Sequence, residues 1–435
     1  MDTILVEWVG LLLRWLHLVA GIAWIGSSFY FMHVDASLKP VPGRPAEEGG
    51  ETWEFHGGGF YQTRKYLIAP ETLASELIWH KWQSYATWLS GFFLLALVYY
   101  VGSDIYLIDP AVRELSSWLA ISIGVGGLAL GWLFYDRLCK SPLGADDVAL
   151  AGVGFAFVVL AAYGFQSVFS GRGALIHTGA LMATMMTGNV FFVIIPNQKM
   201  IEKALVAGLV PDPLLGRQAK QRSSHNNYLT LPVLFLMLSS HYPLTYSTPY
   251  AFVIVALALI AGAVIRHFYN VRHAGRGNLW WTWIVAAISM VIAIAISVTS
   301  SPAGREFWAL APPEPERVAV AHPVRATAPE DVVDIVIGRC SMCHGSEPVW
   351  DGIAIAPKGV LLDTPERIAR FARPIMLNAV LTHAMPPNNL TEITDEERAV
   401  LGAWIAGSGA AKNSERREPL VPGSRPPDTR IDPKE

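Results

Sequence analysis

The chain has 435 residues, 52% hydrophobic and 16% charged, with a mean hydropathy of +0.34. That balance is too apolar for an ordinary soluble protein of several domains, so the chain must hold membrane spans. A net charge of −3, with no basic patch interleaved with aromatic residues, excludes nucleic acid as a partner.

The opening Met1-Asp2-Thr3 lacks the positive segment of a signal peptide, and the apolar run behind it is too long for one, so it reads as a retained first span. Long apolar runs lie at residues 5–32, 78–101, 115–136, 147–169, 173–196, 225–242, 248–270 and 278–300. Each reaches about 18 residues or more, the length that crosses a bilayer as a helix. The sequence therefore predicts an all-α, polytopic bundle of eight spans over residues 1–300, with both termini on one side. The connections after the first, third, fifth and seventh spans hold fourteen Lys and Arg, from Lys39 to Arg276 with Arg222 and Arg266 among them, whereas the other connections hold Arg113 and Arg172. Positive charge stays inside, so both termini are expected on the outer, periplasmic side.

Ionisable groups within spans are costly and point to function. By depth, His17 falls near mid-membrane, His177 and His241 on the outer side, and His33, His80, His225 and His267 at the inner ends of their spans. Arg14 precedes His17 by three residues, on the same helix face, so a b-type haem held by His17 has a cation for its propionates. A satisfied core histidine and a snorkelling arginine fit those two positions equally well. In the loop after the first span, alternating apolar residues flank Gly57-Gly58-Gly59, which predicts a hairpin near residues 50–70. Its His56, Arg64 and Lys65 are candidate substrate residues for a planar anion; a bare structural hairpin is the alternative. Asn197-Gln198 and His225-Asn226-Asn227-Tyr228 place amides and a phenol at span mouths, either as helix caps or as readers of a heterocycle's edges.

Residues 301–329 turn Pro- and Ala-rich and read as a semi-rigid tether. Residues 330–411 follow as a class I cytochrome c domain, marked by Cys340-Ser341-Met342-Cys343-His344. Two thiols at that spacing add to the two vinyl groups of a haem, and the adjacent imidazole of His344 ligates its iron. A redox CxxC or half of a zinc site would need other partners, and no second cysteine pair exists; the remaining Cys139 stands alone. Met385, followed by Pro386-Pro387, is the expected second axial ligand, with Met376 and His383 as rivals. Thr394 and Glu397 stand at capping-box spacing before a last helix over residues 395–406. Residues 412–435 are charged and Pro-rich and read as a disordered tail.

Trp53-Glu54-Phe55-His56-Gly57-Gly58-Gly59-Phe60-Tyr61, the stretch from Asn189 to Gln198, and His225-Asn226-Asn227-Tyr228-Leu229-Thr230-Leu231-Pro232, followed by the CxxCH segment, resemble the bacterial membrane-bound urate hydroxylases. The resemblance runs from the first span to about residue 410. It implies a urate oxidase membrane domain fused to a cytochrome c in the bacterial inner membrane, oxidising urate to 5-hydroxyisourate in purine degradation. Electrons would pass to one covalent haem c and on to a respiratory acceptor, a terminal oxidase or a soluble cytochrome. Separately, Arg14-Trp15-Leu16-His17 with Trp24-Ile25-Gly26 resembles the first helix of small membrane haem-b proteins such as the bacterial protoporphyrinogen oxidase. A hydrocarbon core of about 30 Å between cytoplasmic urate and periplasmic haem c calls for a relay, one or two haem b in the membrane domain. The competing reading is an electron-transfer cytochrome subunit, anchored in the membrane between quinol and a terminal oxidase; the Gly-rich hairpin and polar loops favour the enzyme.

Overall fold

The computed structural model describes residues 3–42, 48–66, 76–300, 327–351, 353, 356–357 and 360–415. Most of the expected tether at 301–329 and the tail from 416 onward lie outside the described residues. The chain divides into two units, Met1–Leu310 with Thr382–Leu390, and Ala311–Leu381 with Thr391–Glu435.

In the first unit the apolar runs fall on α1 (Thr3–Ser37), α2 (Trp82–Leu95), α3 (Ser117–Lys140), α4 (Asp147–Gln166), α5 (Gly171–Val206), α6 (Pro213–Ser239), α7 (Ala251–His273) and α8 (Trp281–Ser300). Six of these, α1, α3, α4, α5, α7 and α8, are long and apolar enough to cross a membrane. The other two fall short for different reasons. α2 has only 14 residues before it loosens into a π-helical turn at Ala96–Tyr100. α6 carries Arg217, Lys220 and Arg222 in its first half. Polar residues start several helices: Ser116, Asp146, Ser170 and Asp212 each accept a hydrogen bond from a backbone N–H in the first turn.

The polarity of this unit is turned inside out. α5 is enclosed and buries His177, Thr178 and Asn189, whereas Leu16, Trp118, Leu130, Leu160 and Ile284 on α1, α3, α4 and α8 point outward. Helices with such apolar outer faces are stable where lipid covers them. α5 itself winds as a π-helix over Asn189–Ile194, just ahead of Pro196. Regular winding there would set the proline ring against the carbonyl four residues back, and Pro196 has no N–H to give it.

The hairpin predicted after α1 is present: β1 (Glu48–His56) pairs antiparallel with β2 (Gly59–Tyr66). Gly57 and Gly58 form its two-residue turn with φ of +58° and +83°, the positive values that match strand twist. At the other end Gly50, with φ of +98°, leaves no room for a side chain, since an added Cβ would lie 2.7 Å from the Lys39 carbonyl oxygen. The next residue, Glu51, exchanges two backbone hydrogen bonds of 3.0 Å with Lys39, tying the hairpin to the chain leaving α1.

In the second unit α9 (Glu330–Arg339) leads into the short α10 (Ser341–His344), and α11 (Asp395–Glu415) closes the described chain. Val332, Val336, Ile368 and Leu401 are buried together. The predicted capping box forms in both directions: Glu397 N–H donates to Thr394 Oγ1 at 3.2 Å, and Thr394 N–H to Glu397 Oε2 at 2.8 Å. Glu397 also takes the Arg339 guanidinium at 3.1 Å, locking α9 to α11. α11 runs to Glu415, past the end expected at 406 and into the first residues of the expected tail.

Candidate functional site

Where α1 approaches α2, the ring of His17 lies against Gly91, whose missing side chain makes the space: a Cβ there would sit 2.7 Å from the imidazole. His17 Nδ1 donates to the Thr87 carbonyl at 2.9 Å, with Ser90 Oγ at 3.3 Å, so Nε2 keeps its lone pair. The ring borders a cavity of about 360 Å³ with apolar walls, which Arg14, Arg172, His241 and Thr187 also line. Arg172 comes from the start of α5, with its guanidinium over the rings of Tyr99 and Tyr106 at 5.7 and 5.1 Å. Its Nε and the Thr187 hydroxyl are buried without a hydrogen-bond partner. The structure thus brings the predicted pair, Arg14 and His17, into one cavity together with His241, expected on the outer side, and adds Arg172, which sequence reasoning did not assign. The signal for Arg172 was its charge at the mouth of a span.

The other histidines divide by their partners. His177 is fully buried and uses both ring nitrogens, toward the Gly173 carbonyl at 2.8 Å and the Tyr100 hydroxyl at 3.3 Å, which makes it a packed core residue. His225 meets the Tyr135 hydroxyl at 2.7 Å, and His267 the Tyr228 hydroxyl at 3.0 Å.

The three hairpin candidates do not converge. His56 stands opposite Gly59 and Arg64 opposite Glu51, five ladder positions apart and so about 17 Å along the strand. His56 is exposed. Arg64 lies 3.7 Å from the Glu51 carboxylate, and Lys65 is paired with Asp35 of α1. The two cations meet carboxylates of the protein itself.

Two further arginines, counted with the connections in the sequence, lie buried inside α6 and α7. Arg222 donates to Asp136 Oδ1 and to Asn189 Oδ1, both at 2.9 Å. Asn189 in turn donates to the Tyr135 hydroxyl at 3.0 Å and to Asn226 Oδ1 at 2.8 Å, and Asn226 to the Met186 carbonyl at 3.0 Å, so the cluster is closed. Arg266 is different. Its Nε reaches the neutral amide oxygen of Asn227 at 3.3 Å and its Nη2 that of Asn270 at 3.4 Å, while Phe29 of α1 stacks under the guanidinium at 3.8 Å. Among the described residues no carboxylate pairs with it, and the buried Nδ2 of Asn227 has no acceptor.

In the second unit Cys340 and Cys343 carry free thiols one turn apart, beside His344. Burial pushes the Cys340 thiol up to about 12 and that of Cys343 up as well. A redox CxxC needs the opposite shift. His344 Nδ1 donates to the Val360 carbonyl at 3.0 Å, and burial lowers its proton affinity, so the ring is a neutral imidazole with Nε2 open to a metal. No group of three or more His, Cys, Asp or Glu among the described residues is arranged to hold a bare metal ion. The thiol pair and the imidazole fit a covalently bound haem. Met385 belongs to the Thr382–Leu390 segment, grouped with the first unit, and its side chain is partly exposed. Of its rivals, Met376 lies in the second unit and His383 in the same segment as Met385.

No curated protein and no solved structure matches the chain. A family model, urate oxidase N-terminal, matches residues 3–297, which takes in the whole helical bundle, the cavity and both arginine clusters. The chain belongs to the urate oxidase N-terminal family.

Proposed function

We propose that this protein is a membrane-bound urate hydroxylase that passes electrons from urate to its own C-terminal haem c. The observation that carries the reading is the family match over residues 3–297, on a bundle with six membrane-length helices, in one chain with a CxxCH segment. The urate monoanion gives up two electrons and one proton, and water then adds at C5 to give 5-hydroxyisourate. A bound haem supplies a one-electron acceptor, so each urate requires two transfers. Cys340 and Cys343 would hold haem c by thioether bonds, with His344 as one axial ligand and Met385 as the other.

The chemistry of the cavity's lining supports a b-type haem as the relay. His17 offers Nε2, held in orientation by Thr87; the apolar walls suit a porphyrin, and the guanidinium groups of Arg14 and Arg172 suit its propionates. The buried, unmatched Arg172 Nε supports an anionic occupant. α2 and α6 complete an eight-span bundle when the polar first half of α6 stays at the inner surface. The charge count then sets both termini and the cytochrome region on the periplasmic side of a bacterial inner membrane, where a terminal oxidase or soluble cytochrome takes the electrons.

A reduced-minus-oxidised spectrum of purified protein, before and after anaerobic addition of urate, tests this. Urate should reduce a c-type band, with a b-type band beside it. Reduction by a quinol but not by urate would replace the enzyme with an electron-transfer subunit.

A further inference from the structure

We infer that Arg266, Asn227 and Phe29 form the seat of the urate anion, an assignment that rests on the urate reading above. A guanidinium removed from water without a counter-charge is costly, and a buried amide N–H without an acceptor adds to that cost. Among the described residues both occur side by side here. Arg266 is 5% exposed and Asn227 fully buried, their mutual contact is a long 3.3 Å, and Asn227 Nδ2 has no partner. A flat anion with adjacent C=O and N groups along one edge answers both deficits. Its edge accepts two parallel bonds from the Arg266 fork, and a neighbouring carbonyl accepts from Asn227.

The surroundings fit that occupant. Phe29 stacks on Arg266 at 3.8 Å and so holds the plane of the fork. Asn270, at i+4 on α7, fixes the Asn227 oxygen through a 3.1 Å bond, which turns the Asn227 amide nitrogen, the atom without an acceptor, away from it. The polar stripe of α7 continues from Arg266 through Asn270 to the half-buried His273, whose ring meets that of the exposed His33 of α1 at 4.3 Å. Phe29 and His33 are likewise one turn apart, so the stripe leads from the buried fork to the surface. Twelve residues of α1 separate Phe29 from His17, about 18 Å of helix, so the seat and the cavity are distinct stations in one bundle.

Asn227→Asp provides the decisive test. It sets a carboxylate beside Arg266, which satisfies the buried charge and preserves the fold while filling the anion's place. Urate binding is measured by anaerobic equilibrium dialysis on full-length protein kept reduced with dithionite, so that nothing turns over. Wild type should bind one urate per chain. Asn227→Asp should weaken binding about tenfold or more, the worth of one charge-assisted hydrogen bond, with an unchanged or higher melting temperature. Arg266→Gln should weaken it likewise; if that variant fails to accumulate, Asn227→Asp decides alone. Wild-type affinity in Asn227→Asp, with wild type binding urate, overturns the seat but leaves the urate reading standing. A wild type that binds no urate brings down both.

Discussion

Arg222 and Arg266 are both nearly sealed from solvent, at 2% and 5% exposure, and both sit where α6 and α7 bury polar groups, yet they are matched in opposite ways. Arg222 has a carboxylate, an amide oxygen and the Tyr135 ring at 5.1 Å, and every polar atom of Asn189 beneath it is used. Arg266 has two distant amide oxygens and an aromatic face. A closed cluster holds helices together, whereas an open one stores an unmet demand that only something from outside can meet. The cavity at His17, with its unmatched Arg172 and Thr187 atoms, is of the second kind.

The contrast is sharpest where a ligand is lost and the fold kept. His17→Ala should eliminate the b-type absorption band while the c-type band and the melting temperature persist; a purified wild type with one haem per chain would end that half of the comparison. In the closed cluster the outcome reverses. Asp136→Asn strands Arg222 and should cost about 3 kcal/mol of stability, the penalty of an abandoned buried charge. A thermal melt in detergent that moves by less than a third of the corresponding shift would show Arg222 to be less dependent on its partner than its geometry states. Arg266→Met should do the opposite and stabilise the bundle by about 1 kcal/mol, since it strands no charge and takes from Asn270 only a long 3.4 Å contact, while urate binding falls. A destabilised Arg266→Met would place Arg266 among the fold-holding residues.

The smallest effect belongs to a matched pair outside the membrane helices. Hydrogen bonds from Ser346 and then Arg367 hold the Asp363 carboxyl well below the usual range. A depressed folded-state value means the contribution is complete above the ordinary carboxylate pKa of about 4 and is lost as pH falls through the folded value. The melting temperature of the second unit should drop on acidification below about pH 4, and Asp363→Asn should flatten that slope.

Much of this was legible in the chain because it depends on local repetition. Apolar length gave the helices, Gly57-Gly58 between alternating residues gave the hairpin, and Thr394 with Glu397 gave the start of α11. The arginines were hard to read for the converse reason. Arg266 stands four residues from Asn270 at the end of an apolar run, and a charge there looks like a loop residue until α1 and α6 close over it. Lys65 and Arg64 looked available because Asp35 and Glu51 answer them from other segments. His17 and His177 are alike in sequence, each an imidazole within an apolar run. They part only through partners roughly 70 or more residues away, Thr87 for one and Tyr100 for the other.

The π-helical stretch Asn189–Ile194 holds one residue more than regular winding would, so the rest of α5 is turned by about 100°. Asn197 donates to the Leu215 carbonyl and to Gln218 Oε1, both at 3.1 Å, and it faces α6 only through that rotation. Deleting one residue there would restore regular winding with Asn197 still facing α6, but it would set the Pro196 ring against the carbonyl four residues back. The extra residue in this part of the bundle thus accommodates the proline while the winding keeps Asn197 on its partners, so residue number and Pro196 are expected to change together or not at all.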